Sequence, residues 1–351
     1  MVHIPFTNSR LANTPRIVAW ELTRRCVLRC RHCRGNARDE NYDGELSLDE
    51  SHLLVDQIAK AGTKLLILTG GEPMAHAHFF QLAGQAAAHG LRVVASPCGH
   101  LLDQDAAQHM ASVGISRISI SLDHFTAQGH DGWRGETGAF AVATRAIGIA
   151  QAAGIEVQIN STISRHNAHC LAEMYALALS LKAVAWDCFF LVPTGRGAEI
   201  NSLVLDAGEM ETALSEILAI SQRSPIPIKT TCAPQVVRIA AAKGITLDPR
   251  TNGGGCMAGR GFAFISHTGL LQPCGFLPHV VADLRKEDFD LARVYAEGPR
   301  WNGLQNPDGF HGGCGTCHQR FACGGCRARA LAASGDILGS EPGCARGAGN
   351  T

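Results

Sequence analysis

The chain has 351 residues, 46% of them hydrophobic, enough to bury a full core as one large domain plus a smaller one. Lysine plus arginine and aspartate plus glutamate balance at 31 each, so the overall field gives no reason to expect nucleic acid or an anionic membrane as a partner. No run of eighteen apolar residues occurs, and the opening MVHIPFTNSRLANTPR lacks the apolar stretch of a signal peptide; the expected location is the cytoplasm.

Residues 1–15 read as an N-terminal extension. From 16 to 224, short apolar runs alternate with polar or glycine-bearing turns and with longer alanine- and leucine-rich stretches at helical spacing, the pattern of successive βα units. Strands are expected at Arg16–Leu22, Lys64–Leu68, Leu91–Ser96, Ser116–Ser121, Glu156–Ser161 and Ala183–Val192. Helices are expected at Leu48–Ala61, His76–His89, Gln104–Val113, Phe140–Ala153, Ala168–Leu181 and Ala207–Ser221, several closed by a glycine such as Gly62 or Gly114. Six such repeats specify an α/β fold, a partial (β/α)6 TIM-like barrel. Beyond Pro225 the pattern changes to short strands, glycines and cysteines, which marks a smaller cysteine-rich, cluster-binding domain over residues 225–351. Within it, Gly261–Ser266 and Leu270–Gln272 form a candidate hairpin turning through His267-Thr268-Gly269.

Fourteen cysteines are a heavy load for a cytosolic protein, where thiols stay reduced, and metal ligation explains them better than disulfides. Three lie within residues 26–33 and seven between 256 and 344. The other four, Cys98, Cys170, Cys188 and Cys232, read as small buried hydrophobes, with a second role open for Cys98 and Cys232.

In parallel βα folds ligands gather at the carboxyl ends of the strands. Three segments stand there: Cys26 to Cys33 after the first strand, Gly70-Gly71-Glu72-Pro73 after the second, and Asp123 with His124 after the fourth. Cys26, Cys30 and Cys33 read C-x3-C-x2-C. A tetrahedral zinc site wants four protein ligands, commonly as two C-x2-C halves, whereas three thiolates hold three irons of a cubane and leave the fourth iron open to a small molecule. The glycines permit close backbone approach and Glu72 can accept from an ammonium, although such a turn also occurs as plain loop. In the C-terminal region Cys256, Gly269 and Cys274 read C-x12-G-x4-C, and Cys314, Cys317, Cys323, Cys326 and Cys344 read C-x2-C-x5-C-x2-C-x17-C. Taken alone, those paired cysteines suit either zinc or further iron–sulfur clusters.

TRRCVLRCRHC followed by LTGGEP resembles the radical S-adenosylmethionine superfamily. The resemblance implies an enzyme in which Cys26, Cys30 and Cys33 hold a catalytic 4Fe-4S cluster. Its open iron would chelate S-adenosylmethionine, Gly70, Gly71 and Glu72 would contact the cofactor, and Pro73 would shape the turn. One electron from the cluster would then release a 5′-deoxyadenosyl radical that takes hydrogen from a substrate. Ser121 and Asp123 in SISLDH match a strand end that lies near cofactor ribose or substrate in that family. His32 stands where the family often has an aromatic residue. His124 replaces a common glycine, as either a solvated loop histidine or a substrate contact. The C-terminal cysteines resemble the SPASM extension, except that the step from Cys323 to Cys326 is one residue short; this implies one or two auxiliary 4Fe-4S clusters.

The longer strings PRIVAWELTRRC, HCRGNA, FFLVPTGRG, TCAP, GFAFISHTGLLQPCGF and CGGCRARAL resemble the Fe-coproporphyrin III decarboxylases of the alternative heme pathway, with Glu72 where those relatives often carry aspartate. That resemblance implies a small-molecule tetrapyrrole substrate whose propionates become vinyl groups, giving heme b. It also implies an electron donor such as ferredoxin or flavodoxin, and an acceptor that an auxiliary cluster could supply. Propionates call for arginine partners, for which Arg134, Arg165 and Arg196 on strand-end loops are the candidates. A peptide maturase of SPASM type or an enzyme of related modified-tetrapyrrole biosynthesis is the enzymic rival, and a structural metal-binding scaffold the non-enzymic one. Only 25 residues precede Cys26, which speaks against a maturase's N-terminal peptide-recognition domain.

Overall fold

The computed structural model describes residues 14–248 and 255–346, so most of the expected N-terminal extension lies outside the described residues. Six parallel strands follow the expected order: β1 Ile17–Glu21, β2 Leu65–Thr69, β3 Arg92–Ala95, β4 Ile115–Ser121, β5 Glu156–Ile163 and β6 Ala185–Phe190. The crossovers are α1 Leu48–Lys60, α2 Phe79–Ala88, α3 Gln104–Ser112, α4 Ala127–Arg134, α5 Ala139–Ala152, α6 Leu171–Ser180 and α7 Ala207–Ser221. A further strand β7, Ile228–Thr231, pairs parallel to β6 and leads into α8, Val236–Ala242. On the opposite edge β8, Phe262–Ile265, runs parallel to β1, followed by antiparallel β9, Leu270–Gln272, and β10, Ala282–Asp283. The sheet order is β10-β9-β8-β1-β2-β3-β4-β5-β6-β7, an open sheet and hence a partial barrel.

Local chemistry accounts for most of these elements. Val18 and Trp20, Leu66 and Leu68, and Ile118 and Ile120 put one fully buried side chain at every second strand position. Ser47 with Glu50 and Asp206 with Glu209 form reciprocal capping boxes that start α1 and α7. Leu54, Val55 and Ile58 of α1 lie in one core with Phe79, Leu82 and Ala86 of α2, each such burial worth about 1.5–3 kcal/mol.

Two features depart from the sequence pattern. Helix α4 was not expected, because AQGHDGWR carries two glycines and little apolar periodicity. It forms because Thr126 caps Gly129 N–H, Gly135 closes it in the left-handed conformation, and His130, Trp133 and Arg134 are buried. The hairpin of β8 and β9 is present, but β8 also docks edge-on to β1, so the main sheet continues through the C-terminal region.

The loop from Cys26 to Cys33 has almost no regular structure of its own, beyond a bridge between Arg25 and Arg38. Other βα connections hold it by direct backbone contact. After β2, Gly71 N–H donates to Thr23 O (2.8 Å) and Glu72 N–H to Arg25 O (2.8 Å). A Cβ on Gly71 would lie 2.4 Å from Arg24 O. From α4, Trp133 O accepts Arg31 N–H at 3.0 Å. After β6, Arg196 N–H donates to Cys33 O (3.0 Å), and a Cβ on the preceding Gly195 would fall 2.4 Å from that same oxygen. These glycines are therefore required by proximity to another backbone.

Gly71→Ala should cost about 1–3 kcal/mol, typical of forced overpacking, and should lower bound iron. Thermal unfolding and iron analysis of the reconstituted variant check this; a wild-type melting temperature together with wild-type iron would show that the contact does not set the loop.

Candidate active site

The clamped loop turns Cys26, Cys30 and Cys33 into one apolar cluster with Leu28, Ala37, Ala139 and Cys98. Cys26 and Cys30 are buried and Cys33 is partly so. Cys98, three residues past β3, hydrogen-bonds Cys26 and thereby lowers the Cys26 pKa, whereas burial raises that of Cys30. Ala37 N–H points at Cys33 Sγ (3.4 Å). Position at a strand's carboxyl end was the signal for Cys98; its small apolar character hid it.

Glu72 is buried, and both carboxylate oxygens accept backbone N–H groups, from Met74 (2.9 Å) and from Cys98 (2.6 Å). It ties the turn after β2, which begins with Pro73, to the segment after β3. Burial pushes its pKa up. Gly70 and Gly71 lie against Thr23 and Arg24 of the cysteine loop, and Ser121 ends β4 in register with Asn160.

Asp123 is fully buried. It ion-pairs with Arg134 (2.5 Å) and accepts Thr162 N–H (2.7 Å). Burial opposes its charge, but Arg134, His32 and His130 bring its pKa below the usual range. The Arg134 guanidinium also points Nη1 at Cys30 Sγ (3.6 Å), so one buried cation sits between a carboxylate and a cysteine of the loop. Beside it His32 stacks on Trp133, and Trp133 stacks on His166, at 5.1 and 4.8 Å between ring centroids.

The three arginines expected to meet propionates each have partners within the chain. Arg134 is committed to Asp123 and Cys30. Arg196 donates to Cys30 O (2.8 Å) and Ala37 O (2.7 Å), holding the loop. Arg165 pairs at the surface with Glu209 and Asp206. For Arg134 and Arg196 the strand-end position is used to build the site's walls.

The C-terminal cysteines sort into two groups of four. Cys232, Cys256, Cys274 and Cys326 interact with one another, Cys326 buried and the other three partly so, with Cys232 hydrogen-bonded to Cys326. Cys314, Cys317, Cys323 and Cys344 line a separate cavity with Arg238 and Arg320. The groups meet where Cys256 N–H donates to Cys323 O (2.9 Å). Between them the buried Glu341 accepts from Cys326 N–H (2.6 Å) and from Arg329 (3.1 Å), which also donates to Cys232 O (2.8 Å). Cys232, in the TCAP string outside the C-terminal spacing pattern, is the member that pattern reading did not assign.

A cysteine-bearing loop at the strand ends of an open parallel barrel, backed by a glycine-rich turn, defines the class. Residues 20–178 match the Radical SAM superfamily. The AdoMet-dependent heme synthase of Nitratidesulfovibrio vulgaris is 39% identical, covering 97% of this chain and 95% of that protein. The AdoMet-dependent heme synthase of Methanosarcina barkeri is 38% identical, covering 95% and 97%. The solved structure of native anSMEcpe with bound AdoMet shares the fold, with a TM-score of 0.72 at 15% identity over 94% of each chain. The chain belongs to the radical SAM superfamily, and it is an enzyme with a cysteine-rich extension like the SPASM extension. Among the described residues, no helix is long and apolar enough to cross a membrane.

Membership in that superfamily brings S-adenosylmethionine and a 4Fe-4S cluster as cofactors, and the donor set at the cysteine loop fits them. Three thiols converge in an apolar wall, and Trp133 Nε1, Arg134 Nε and Arg196 Nη2 are buried donors around it without an acceptor.

Removing the Arg134 cation should leave Asp123 buried and uncompensated. Arg134→Met should therefore destabilise by about 3–5 kcal/mol, and Asp123→Asn combined with Arg134→Met should recover part of the loss. Equal melting temperatures for the single and double variants would show that the ion pair is not the reason.

Proposed function

We propose that this enzyme converts propionate side chains of Fe-coproporphyrin III to vinyl groups by oxidative decarboxylation, giving heme b. The observation that carries the reading is likeness to proteins named heme synthases at 38–39% identity across the barrel and the cysteine-rich region together. In this reading residues 16–224 generate the radical, and residues 225–351 form the SPASM-like unit. Residues 1–15 precede both.

Cys26, Cys30 and Cys33 are the proposed ligands of the catalytic cluster. Gly70, Gly71, Glu72, Pro73 and Ser121 shape the cofactor's seat, with Glu72 facing its ammonium, and Asp123 acts on the site through Arg134. When bound, the reduced cluster and S-adenosylmethionine supply the 5′-deoxyadenosyl radical that takes a hydrogen atom from the propionate β-carbon. The chain's own part is to hold that geometry and exclude water: the glycine contacts fix the loop, and the buried Arg134 offsets thiolate charge beside Cys30. Loss of carbon dioxide and one electron then completes each vinyl group. The second metal region, Cys232, Cys256, Cys274 and Cys326 with Cys314, Cys317, Cys323 and Cys344, carries auxiliary 4Fe-4S clusters in this reading. It is the proposed acceptor of that electron. The enzyme works in the cytoplasm with a ferredoxin- or flavodoxin-type donor for the first electron.

Anaerobic incubation of reconstituted enzyme with S-adenosylmethionine, dithionite and Fe-coproporphyrin III, read by mass spectrometry, should show two successive decarboxylations. Cofactor cleavage without any change in the porphyrin would instead favour a peptide substrate. Replacing Cys323 and Cys326 together by alanine should lower bound iron, leave cofactor cleavage measurable and stop vinyl formation. Because metal binding in such regions can be folding free energy, circular dichroism and gel filtration accompany the assay. A folded, iron-depleted double variant making product at the wild-type rate would remove the auxiliary region from the electron path.

A further inference from the structure

Outside the cysteine-lined sites, one set of side chains has the dimensions of a metal site. Among the described residues, only His124, His169 and Cys170 bring three metal-binding donor atoms within 4.8 Å of one another. We infer that these three residues form a mononuclear site for a divalent ion of the zinc class, with two imidazoles and one thiolate as ligands.

The topology supplies the convergence. His124 follows β4, whereas His169 and Cys170 close the segment between β5 and α6; β4 and β5 are adjacent parallel strands. The donors thus meet at the carboxyl ends of neighbouring strands, where parallel βα folds assemble their ligands. Two histidines and a cysteine are a borderline-soft set that suits zinc and neighbouring first-row ions. Bonds of about 2.0–2.3 Å require the donors to close by roughly 1 Å. His169 is exposed, and it can supply that movement.

The other two ligands are held in place. The His124 ring sits directly on the first turn of α4, where a Cβ on Gly129 would lie 2.3 Å from its Cγ. Its Nδ1 accepts Thr126 N–H (3.1 Å) and faces Thr126 Oγ1 (2.9 Å), so Nε2 is the ring nitrogen left for a ligand. Ligation through Nε2 requires the tautomer with the proton on Nδ1, which exchanges the Thr126 N–H contact for a hydrogen bond donated to the Thr126 hydroxyl, the outer hydrogen bond that ligating histidines usually have. Cys170 is buried and its thiol donates to Asn167 O (3.3 Å), a proton that metal binding would displace. With His169 exposed and His124 partly so, a fourth position is open to water or to an oxygen of a bound molecule. His166, 5.4 Å from His124 between ring centroids, connects this site through Trp133 and His32 to the cysteine loop. The inference stands on the donor cluster and does not depend on which substrate the enzyme takes.

The test uses iron–sulfur-loaded enzyme, so that the other cysteines are occupied, dialysed anaerobically against Zn²⁺. Zinc, iron and sulfide are then quantified, and zinc X-ray absorption reads the coordination shell. One equivalent of zinc should bind with iron unchanged, in a shell of one sulfur at about 2.3 Å and nitrogens at about 2.0–2.1 Å. His169→Ala, at an exposed position, should weaken binding at least about 100-fold, beyond the usual cost of losing only an outer partner; His124→Ala, checked by circular dichroism, should do the same. No zinc above background, zinc gained only as iron is lost, a shell of three or four sulfurs, or unchanged affinity in His169→Ala would each overturn the assignment.

Discussion

The cysteine loop after β1 is held by the backbones of other connections, and the rest of the site depends on that constraint. Eight residues carrying three thiols have no ladder of their own. Their position comes from Gly71 and Glu72 after β2, Trp133 at the end of α4, and Gly195 with Arg196 after β6. Each of these contacts is backbone to backbone or guanidinium to carbonyl, so it fixes the loop without using the thiols. The glycines of the turn after β2 are thus structural before they are cofactor contacts, because any side chain at Gly71 would push the loop out of register with the barrel.

Charge is organised in the same way in both cysteine-rich regions. In the barrel, Asp123 and Arg134 form a buried pair whose cation reaches Cys30. In the C-terminal region, Glu341 and Arg329 form a buried pair next to Cys326 and Cys232. A buried ion pair is not a cheap source of stability, since desolvation offsets much of its attraction. Its recurrence beside cysteines makes sense where thiolates and a bound cluster add negative charge, because a fixed buried arginine compensates that charge in a low-dielectric wall.

Much of this was legible in the sequence. The six βα repeats appear within a few residues of their expected bounds, because apolar runs of four to eight residues alternating with amphipathic stretches leave few other folds. The C-x3-C-x2-C loop and GGEP turn meet as their strand-end positions require. Helix α4 escaped, since its formation depends on burying His130, Trp133 and Arg134 against the rest of the chain, a tertiary effect that overrides local propensity. The docking of β8 on β1 is likewise a long-range pairing with no local signal. Cys98 and Cys232 look like ordinary buried cysteines until the fold brings them to Cys26 and Cys326. The arginines at strand ends have the residue type expected for substrate contacts, yet their partners are Asp123, Glu209 and the loop carbonyls.

The central claim is that the clamped cysteine loop presents a cluster with one iron open to S-adenosylmethionine. Electron paramagnetic resonance of the dithionite-reduced enzyme, recorded with and without S-adenosylmethionine, tests it most directly. The account predicts that the cofactor changes the signal of one cluster in the wild type, and that the changed component is missing when Cys26, Cys30 and Cys33 are replaced by alanine while the C-terminal cysteines are intact. A spectrum indifferent to the cofactor, or the same cofactor-dependent change in the triple variant, would contradict it.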